Sequence, residues 1–237
     1  MSNFLSLIRF RIIQKAAQLL RNPDLSGNGE RIDLDLRGNL VDYDTFDIYQ
    51  KSHFKRYEFA CSSLVPHMVV GDFACGTGYG TVMLARKCRK VIGADIDTKV
   101  VKRVMGRYRT IPNVEFVVCN LLDLPYESLF DVIISFETIE HFSQESISPL
   151  FDIFRRALKT GGRLIFSTPY MQEPSAAAMR MGFHLTYRIN EGTVNDWANS
   201  AGFEIEMYKY QNYQTHAIQS QLEHKDFIIC TARKIKE

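Results

Sequence analysis

The sequence predicts an α/β protein built on a doubly wound, mainly parallel seven-stranded sheet that ends in an antiparallel C-terminal edge pair. Three observations predict it. Short apolar runs alternate with helical patterns between residues 68 and 167, a glycine-rich turn follows the first run, and the last two apolar runs succeed one another with no helix between them. Runs that are apolar throughout belong to strands buried on both faces, and helices on either side of a parallel sheet provide that burial. At 237 residues, 46% hydrophobic and 24% charged, the chain can bury one substantial core, so a single domain with additions is expected.

At the N-terminus, Phe4, Leu5, Leu7, Ile8, Ile12, Ile13, Leu19 and Leu20 gather mostly on one side of a helical wheel, with Gln14, Lys15, Gln18 and Arg21 largely opposite. Arg9, Arg11 and Lys15 interrupt any signal-peptide core or bilayer-spanning run. Such an amphipathic helix packs on its own domain or on a second copy of the chain, as in a homodimer, and its basic flank also suits peripheral contact with a membrane surface. Asn22 to Asp47, with Pro23, Gly27, Gly29 and Gly38 and no sustained period, reads as a linker or flap. Residues 1–50 are therefore expected to be an appendage and 51–237 the main domain.

His53 to Leu64 has helical spacing, through Phe54, Tyr57, Phe59, Ala60 and Leu64. Met68 to Phe73 is the first strand and Thr81 to Lys87 the helix after it. Val91 to Ala94, Val114 to Cys119, Phe130 to Ser135 and Arg163 to Ser167 are the next strands, with helices at Lys99 to Tyr108 and Pro149 to Leu158. Thr160-Gly161-Gly162 stops the latter helix. Thr193 to Ala201 is a last helix, closed by Gly202, and Phe203 to Tyr210 with Asp226 to Ala232 form the edge pair.

A formal charge of only +2 demands no polyanionic partner, which counts against nucleic acid. The five cysteines, at Cys61, Cys75, Cys88, Cys119 and Cys230, include no CxxC pair and fit reduced, cytoplasmic usage.

Ligands of open α/β sheets sit beyond the carboxyl ends of the strands, where the strand order reverses, and the first strand-to-helix turn lies there. Gly76, Gly78 and Gly80 fall in that turn, where glycine permits close backbone approach and the following helix offers free N–H groups. Asp95 follows the second strand about twenty residues later, a placement from which a carboxylate accepts both hydroxyls of a ribose. Dinucleotides and S-adenosylmethionine both satisfy that pattern. Asp72, at the end of the first strand, favours the latter, because a carboxylate there opposes a pyrophosphate but suits a cationic amino-acid tail.

On the stretches GDFACGTGYG, GADID, NLLDLPYE, FDVIISFETIEHF and LKTGGRLIFSTP, the sequence resembles the class I, Rossmann-like S-adenosylmethionine-dependent methyltransferases from about His53 to Gly202. The resemblance implies that Asp72, Ala74, Cys75, Gly76 and Gly78 line the methionine and ribose moieties, with Asp95 on the diol, Ile96 on one face of the adenine, Asn120 and Leu121 at its edge, and Phe136 beside the cofactor. Relatives usually carry Asp where Asn120 stands, so the contact to the adenine amino group would use an amide oxygen. Arg56, in the HFKRYEFA segment before the turn, would pair with the cofactor carboxylate.

Methyl transfer from a sulfonium is an in-line displacement, and a hydroxyl acceptor must also lose its proton. The segment from Phe136 to His141 ends the fourth strand on the cofactor side, which makes His141, Glu140 and Glu137 the catalytic candidates, with His141 as base because an imidazole titrates near ~6.5. Glu137, Glu140 and His141, taken with His184, also resemble the magnesium site of small-RNA 3′-terminal 2′-O-methyltransferases, and would hold a divalent cation that activates a hydroxyl. Residues about 170–190, with Met171, Met179, Met181, Phe183 and Tyr187, are expected to form an acceptor lid, and Tyr43, Phe46 and Tyr49 to close over the cofactor from the other side. The leading expectation is O-methylation of a small molecule or a sugar or glycan precursor. RNA 2′-O-methylation and a non-catalytic scaffold that keeps the cofactor fold are the alternatives.

Overall fold

The computed structural model describes residues 31–34, 36, 42–175 and 184–235. The expected N-terminal helix and the lid residues Met179, Met181 and Phe183 lie outside them. Among the described residues eight strands form one sheet: β1 (Val69–Phe73), β2 (Lys90–Asp95), β3 (Val114–Val118), β4 (Phe130–Phe136), β5 (Leu158–Pro169), β6 (Phe203–Gln211), β7 (Ile218–Gln219) and β8 (Phe227–Lys234). Their order is β3-β2-β1-β4-β5-β8-β6-β7, with β1 to β5 mutually parallel and β8 antiparallel to both β5 and β6. The expected C-terminal pair is present, with β8 inserted between β5 and β6. The two-residue β7 is an addition too short to show in the apolar pattern.

Among the described residues five α-helices cover the sheet: α1 (Ile48–Cys61), α2 (Tyr79–Ala85), α3 (Thr98–Arg107), α4 (Gln144–Ala157) and α5 (Glu191–Ser200). Alternate strand residues enter opposite cores, as a pleated strand requires. Val70, Val91, Val132 and Ile165 meet α1, α2 and α3, while Val69, Ile92, Ile133 and Leu164 meet α4 and α5.

Two helices begin more than a turn earlier than their apolar spacing predicts. Helix α1 starts at Ile48 because Asp47 and Gln50 close a reciprocal capping box, each side chain bonded to the other's backbone N–H. Helix α4 starts at Gln144 and carries the exposed Pro149 inside it. Burial of Ile147, Leu150, Phe151 and Phe154 on one face holds that helix through the missing proline N–H. Gly161, with φ of +74°, lies within β5, where the pairing with β4 skips from Phe130 to Val132. The glycine pair is therefore a bulge in the strand.

The expected linker before α1 is fastened to the core wherever it is described. Leu34 and Leu36 are buried, Thr77 Oγ1 donates to the Ile32 carbonyl at 2.7 Å, Tyr108 donates to the Leu34 carbonyl at 3.2 Å, and Arg107 pairs with Asp33. Residues 31–34 and 36 form a strap across the carboxyl ends of β1 and β2. No helix among the described residues is long and apolar enough to cross a membrane.

Candidate cofactor and acceptor site

The strand order reverses between β1 and β4, and a cavity of about 1140 Å³ opens beyond their carboxyl ends. One small ligand occupies ~300–1,000 Å³, so the space admits a nucleoside cofactor together with a second molecule. One half is lined by Ala74 to Thr77, Asp95, Ile96, Cys119, Asn120, Leu121 and the strap. Glu137 to Phe142 except Ile139, together with Tyr170, His184, Tyr213 and Lys225, line the other.

In the cofactor half, the turn after β1 is left-handed at Ala74, Gly76 and Gly78, with φ of 59°, 51° and 74°. At Gly78, the N-cap of α2, a Cβ would also lie 2.8 Å from the Phe116 ring. Gly80 serves another purpose than the sequence implied. It lies inside α2, where a Cβ would fall 2.0 Å from the Tyr57 ring, so its bareness admits Tyr57 and not a ligand. Asp95 is held by two backbone donors, Gly76 N and Asp97 N, both at 2.9 Å. Beside it Ile96 is 67% exposed, an apolar side chain turned into the cavity with nothing packed over it. Asn120 Oδ1 accepts from Leu122 N at 3.1 Å, which fixes the amide at the cavity wall and leaves the oxygen a second lone pair.

Three residues assigned to the cofactor from the sequence do not line the cavity: Asp72, Gly78 and Arg56. Asp72 is fully buried beneath it, accepting from Tyr57 at 3.0 Å and from Thr81 at 2.6 Å. Burial raises its carboxyl to about 6, against the lowering effect of those hydroxyls. Arg56 is fully buried too, with Nη1 donating to Gln211 Oε1 at 2.7 Å and the guanidinium 4.4 Å from the Phe227 ring centroid. Among the described residues, its Nε and Nη2 have no hydrogen-bond partner.

No motif or period marks Arg31, which pairs with Asp97 at 3.1 Å and with Asp95 at 3.5 Å. The same holds for Tyr213, Lys225 and Asp226, which the β6–β8 connection brings to the acceptor half.

The acids and histidines after β4 divide into two groups. Glu140, His141 and His184 place one ligand atom each within 4.8 Å of one another, and the His141 and His184 rings meet edge to face at 5.0 Å. His184 Nδ1 is bonded to Gln172 Oε1 at 2.7 Å, which leaves Nε2 for a ligand. Glu137 stands apart from this group, left-handed at φ of 50° and bonded to Ser167 Oγ at 2.6 Å. Glu140 is buried and, among the described residues, neither carboxyl oxygen has a well-formed hydrogen bond; burial followed by the nearby Glu137 charge pushes its carboxyl well above the usual range, against the lowering effect of Thr168.

The family described as a methyltransferase domain matches residues 70–162, from β1 into β5. That segment is similar to a methyltransferase domain. The chain is 33% identical over 162 residues to a probable S-adenosylmethionine-dependent methyltransferase of Mycolicibacterium smegmatis, covering 65% of this chain and 60% of that protein. It spans between 42% and 60% of the length of the curated relatives it matches. Among solved structures, the N-methyltransferase NodS from Bradyrhizobium japonicum WM9, in complex with S-adenosyl-L-homocysteine, is similar at a TM-score of 0.62 and 17% identity, over 85% of this chain and 95% of that one. The [4+2]-cyclase SpnF is similar at 0.64 and 17%, over 80% and 85%. At such identity the likeness is one of fold. One fold carries more than one chemistry, and the side chains at the site decide which.

Proposed function

We propose that the protein transfers a methyl group from S-adenosylmethionine to a hydroxyl of a small molecule or of a sugar or glycan precursor. The observation that carries the cofactor is the Asp95 carboxylate, oriented by two backbone N–H groups at the cavity wall beside the bare Ile96 side chain. That pairing suits a ribose diol next to a flat apolar base. Ala74, Cys75 and Gly76 follow the methionine portion, Asn120 and Leu121 the adenine edge, and Phe136 closes the inner end. Beneath them Asp72 supplies negative potential for a cationic amino-acid tail. The unpartnered Nε and Nη2 of Arg56, with the equally unpartnered Tyr79 hydroxyl, supply positive potential for its carboxylate. When bound, the cofactor supplies an electrophilic methyl on a sulfonium.

In this reading Glu137, Glu140 and His141 form the wall that grips the acceptor, with His141 hydrogen-bonded to its hydroxyl. Burial biases Glu140 toward its protonated form, the form that donates a hydrogen bond. Incubation with methyl-labelled cofactor and a panel of sugar nucleotides, phenols, hydroxylated lipids and RNA tests the acceptor class. Label in a hydroxylated small molecule is expected; label confined to amines or RNA would contradict it.

The second reading places a divalent cation among Glu140, His141 and His184, supported by their convergence and by the two Glu140 oxygens that lack a well-formed hydrogen bond. Two imidazoles and one carboxylate suit a borderline transition ion better than magnesium, which prefers oxygen. Such an ion would polarise the acceptor oxygen. Metal analysis of the purified protein decides this: about one equivalent of a transition metal, lost in His184→Ala, is expected. Metal-free protein with undiminished turnover after chelation would remove the cation.

A further inference from the structure

Helix α1 turns Tyr49, Gln50, His53 and Tyr57 to the cavity, one face of the helix at spacings of three and four residues. Three of them are engaged by the protein itself. Tyr57 donates to Asp72 and packs edge-on against Tyr79 and Phe136, with ring centroids 5.4 and 5.1 Å away. Gln50 closes the helix cap and donates to the Asp33 carbonyl of the strap at 3.0 Å. Tyr49 meets the Tyr213 ring at 5.2 Å. His53 differs from all three, because among the described residues no hydrogen bond engages its ring, although the ring lines the cavity.

Its neighbours define where it stands. One turn of helix separates it from Tyr57, which rests on the ends of β1 and β4. In the other direction lie Gln50, tied to the strap over the cofactor half, and Tyr49, tied to the Tyr213 loop of the acceptor half. His53 therefore stands where the two halves meet, which is where donor and acceptor must touch for an in-line transfer. A polar ring at that place without a protein partner is suited to a ligand.

Its charge state fits the same role. Burial first, and the Arg56 guanidinium second, push the imidazole well below its ordinary range, so an unprotonated nitrogen faces the cavity at neutral pH. Arg56 is fixed in place by Gln211 and Phe227, so its charge does not swing away. The charged and titratable acids and bases lining this cavity besides His53 are Arg31, Asp33, Asp47, Asp95, Glu137, Glu140, His141, His184, Lys225 and Asp226. His141, by comparison, has its ring against His184.

We infer that His53 accepts the proton of the acceptor hydroxyl, an assignment that rests on the methyl-transfer reading above. The acceptor oxygen forms its bond to the methyl carbon while the carbon–sulfur bond breaks, its electron pair staying on sulfur. The hydroxyl proton passes to a His53 ring nitrogen and from there to water at the cavity mouth. A weak base suffices, because an oxygen that has gained a methyl while keeping its proton is strongly acidic, so the proton moves late.

Imidazole nitrogen signals of the histidine-labelled full chain test this without knowledge of the acceptor. The His53 signal is assigned by its loss in His53→Gln, and His67, exposed and away from the cavity, serves as control. S-adenosylhomocysteine and sinefungin are titrated separately; sinefungin carries an ammonium where the methyl would be. The His53 signal is expected to shift with each ligand and to differ between the two complexes, with His67 unmoved. Both ligands binding with an identical His53 signal would overturn the assignment and leave the methyl-transfer reading intact; neither ligand binding would remove both. In turnover, His53→Gln is expected to lower kcat about 100-fold with S-adenosylhomocysteine affinity within roughly threefold, and an unchanged kcat would contradict it.

Discussion

Asp72 shows how one carboxylate links stability to the cofactor. Among the described residues its partners are the hydroxyls of Tyr57 and Thr81 and no cation, so ionising it costs free energy that burial largely sets. A folded-state value of about 6 against 3.8 corresponds to about 3 kcal/mol. Because the folded value is the higher one, this stability is fully present below pH ~4 and is lost as pH rises through about 6. Urea unfolding of Asp72→Asn is therefore expected to lack the fall between about pH 4 and about pH 7 that the parent protein shows. A parallel fall in the variant would mean that another group is responsible. A bound sulfonium with its ammonium tail favours the ionised carboxylate, so proton release on cofactor binding belongs to the same residue.

At the scale of elements, α1 and the strap decide the shape of the site. Tyr57 reaches the cavity only because position 80 is glycine, and it is pinned there by Asp72, Tyr79 and Phe136. In an exposed helix Gly→Ala stabilises by about 1 kcal/mol, but here a Cβ 2.0 Å from a pinned ring sets overpacking against that gain. Gly80→Ala is expected to lose roughly 2 kcal/mol or more in denaturant unfolding and to weaken cofactor binding with it; a stabilised variant would show that α1 yields freely. The strap bears on affinity in the opposite sense. Arg31 holds the Asp95 carboxylate that a diol would take, in a pair a quarter exposed on the arginine side. Such pairs contribute at most ~1 kcal/mol, so Arg31→Ala is expected to tighten S-adenosylhomocysteine binding by up to about fivefold in calorimetry. Weakened binding would mean that Arg31 touches the ligand instead.

For the molecule as a whole, the sheet, its crossover helices, the turn and Asp95 were legible because each leaves a local trace: an apolar run, a glycine, or a carboxylate at the end of a strand. The Glu140–His141 pair was legible for the same reason. What stayed hidden was made by residues far apart in the chain. Arg56 is tied to Gln211 across 155 positions, Arg31 to Asp95 across 64, and Thr77 to Ile32 across 45, and no period in the sequence announces such contacts. The amide cap made by Asn120 and the separation of Glu137 from the histidines likewise depend on neighbours, Leu122 and Ser167, that identity alone did not mark. The match to the methyltransferase family ends at residue 162, yet Lys225, Tyr213 and Phe227 from the C-terminal part of the chain also line the cavity. In the proposed reading, acceptor choice is expected to depend on these residues as well as on Glu137 to Phe142 inside the matched segment.

Calorimetric titration of S-adenosylhomocysteine into the full chain and into Asp95→Ala tests the account most directly. Saturable binding at one site per chain, weakened at least about tenfold by the substitution, is the predicted result, since losing hydrogen bonds to a charged group costs ~1.5–3 kcal/mol. Absence of heat with the unaltered protein, or equal affinity in both, would contradict it.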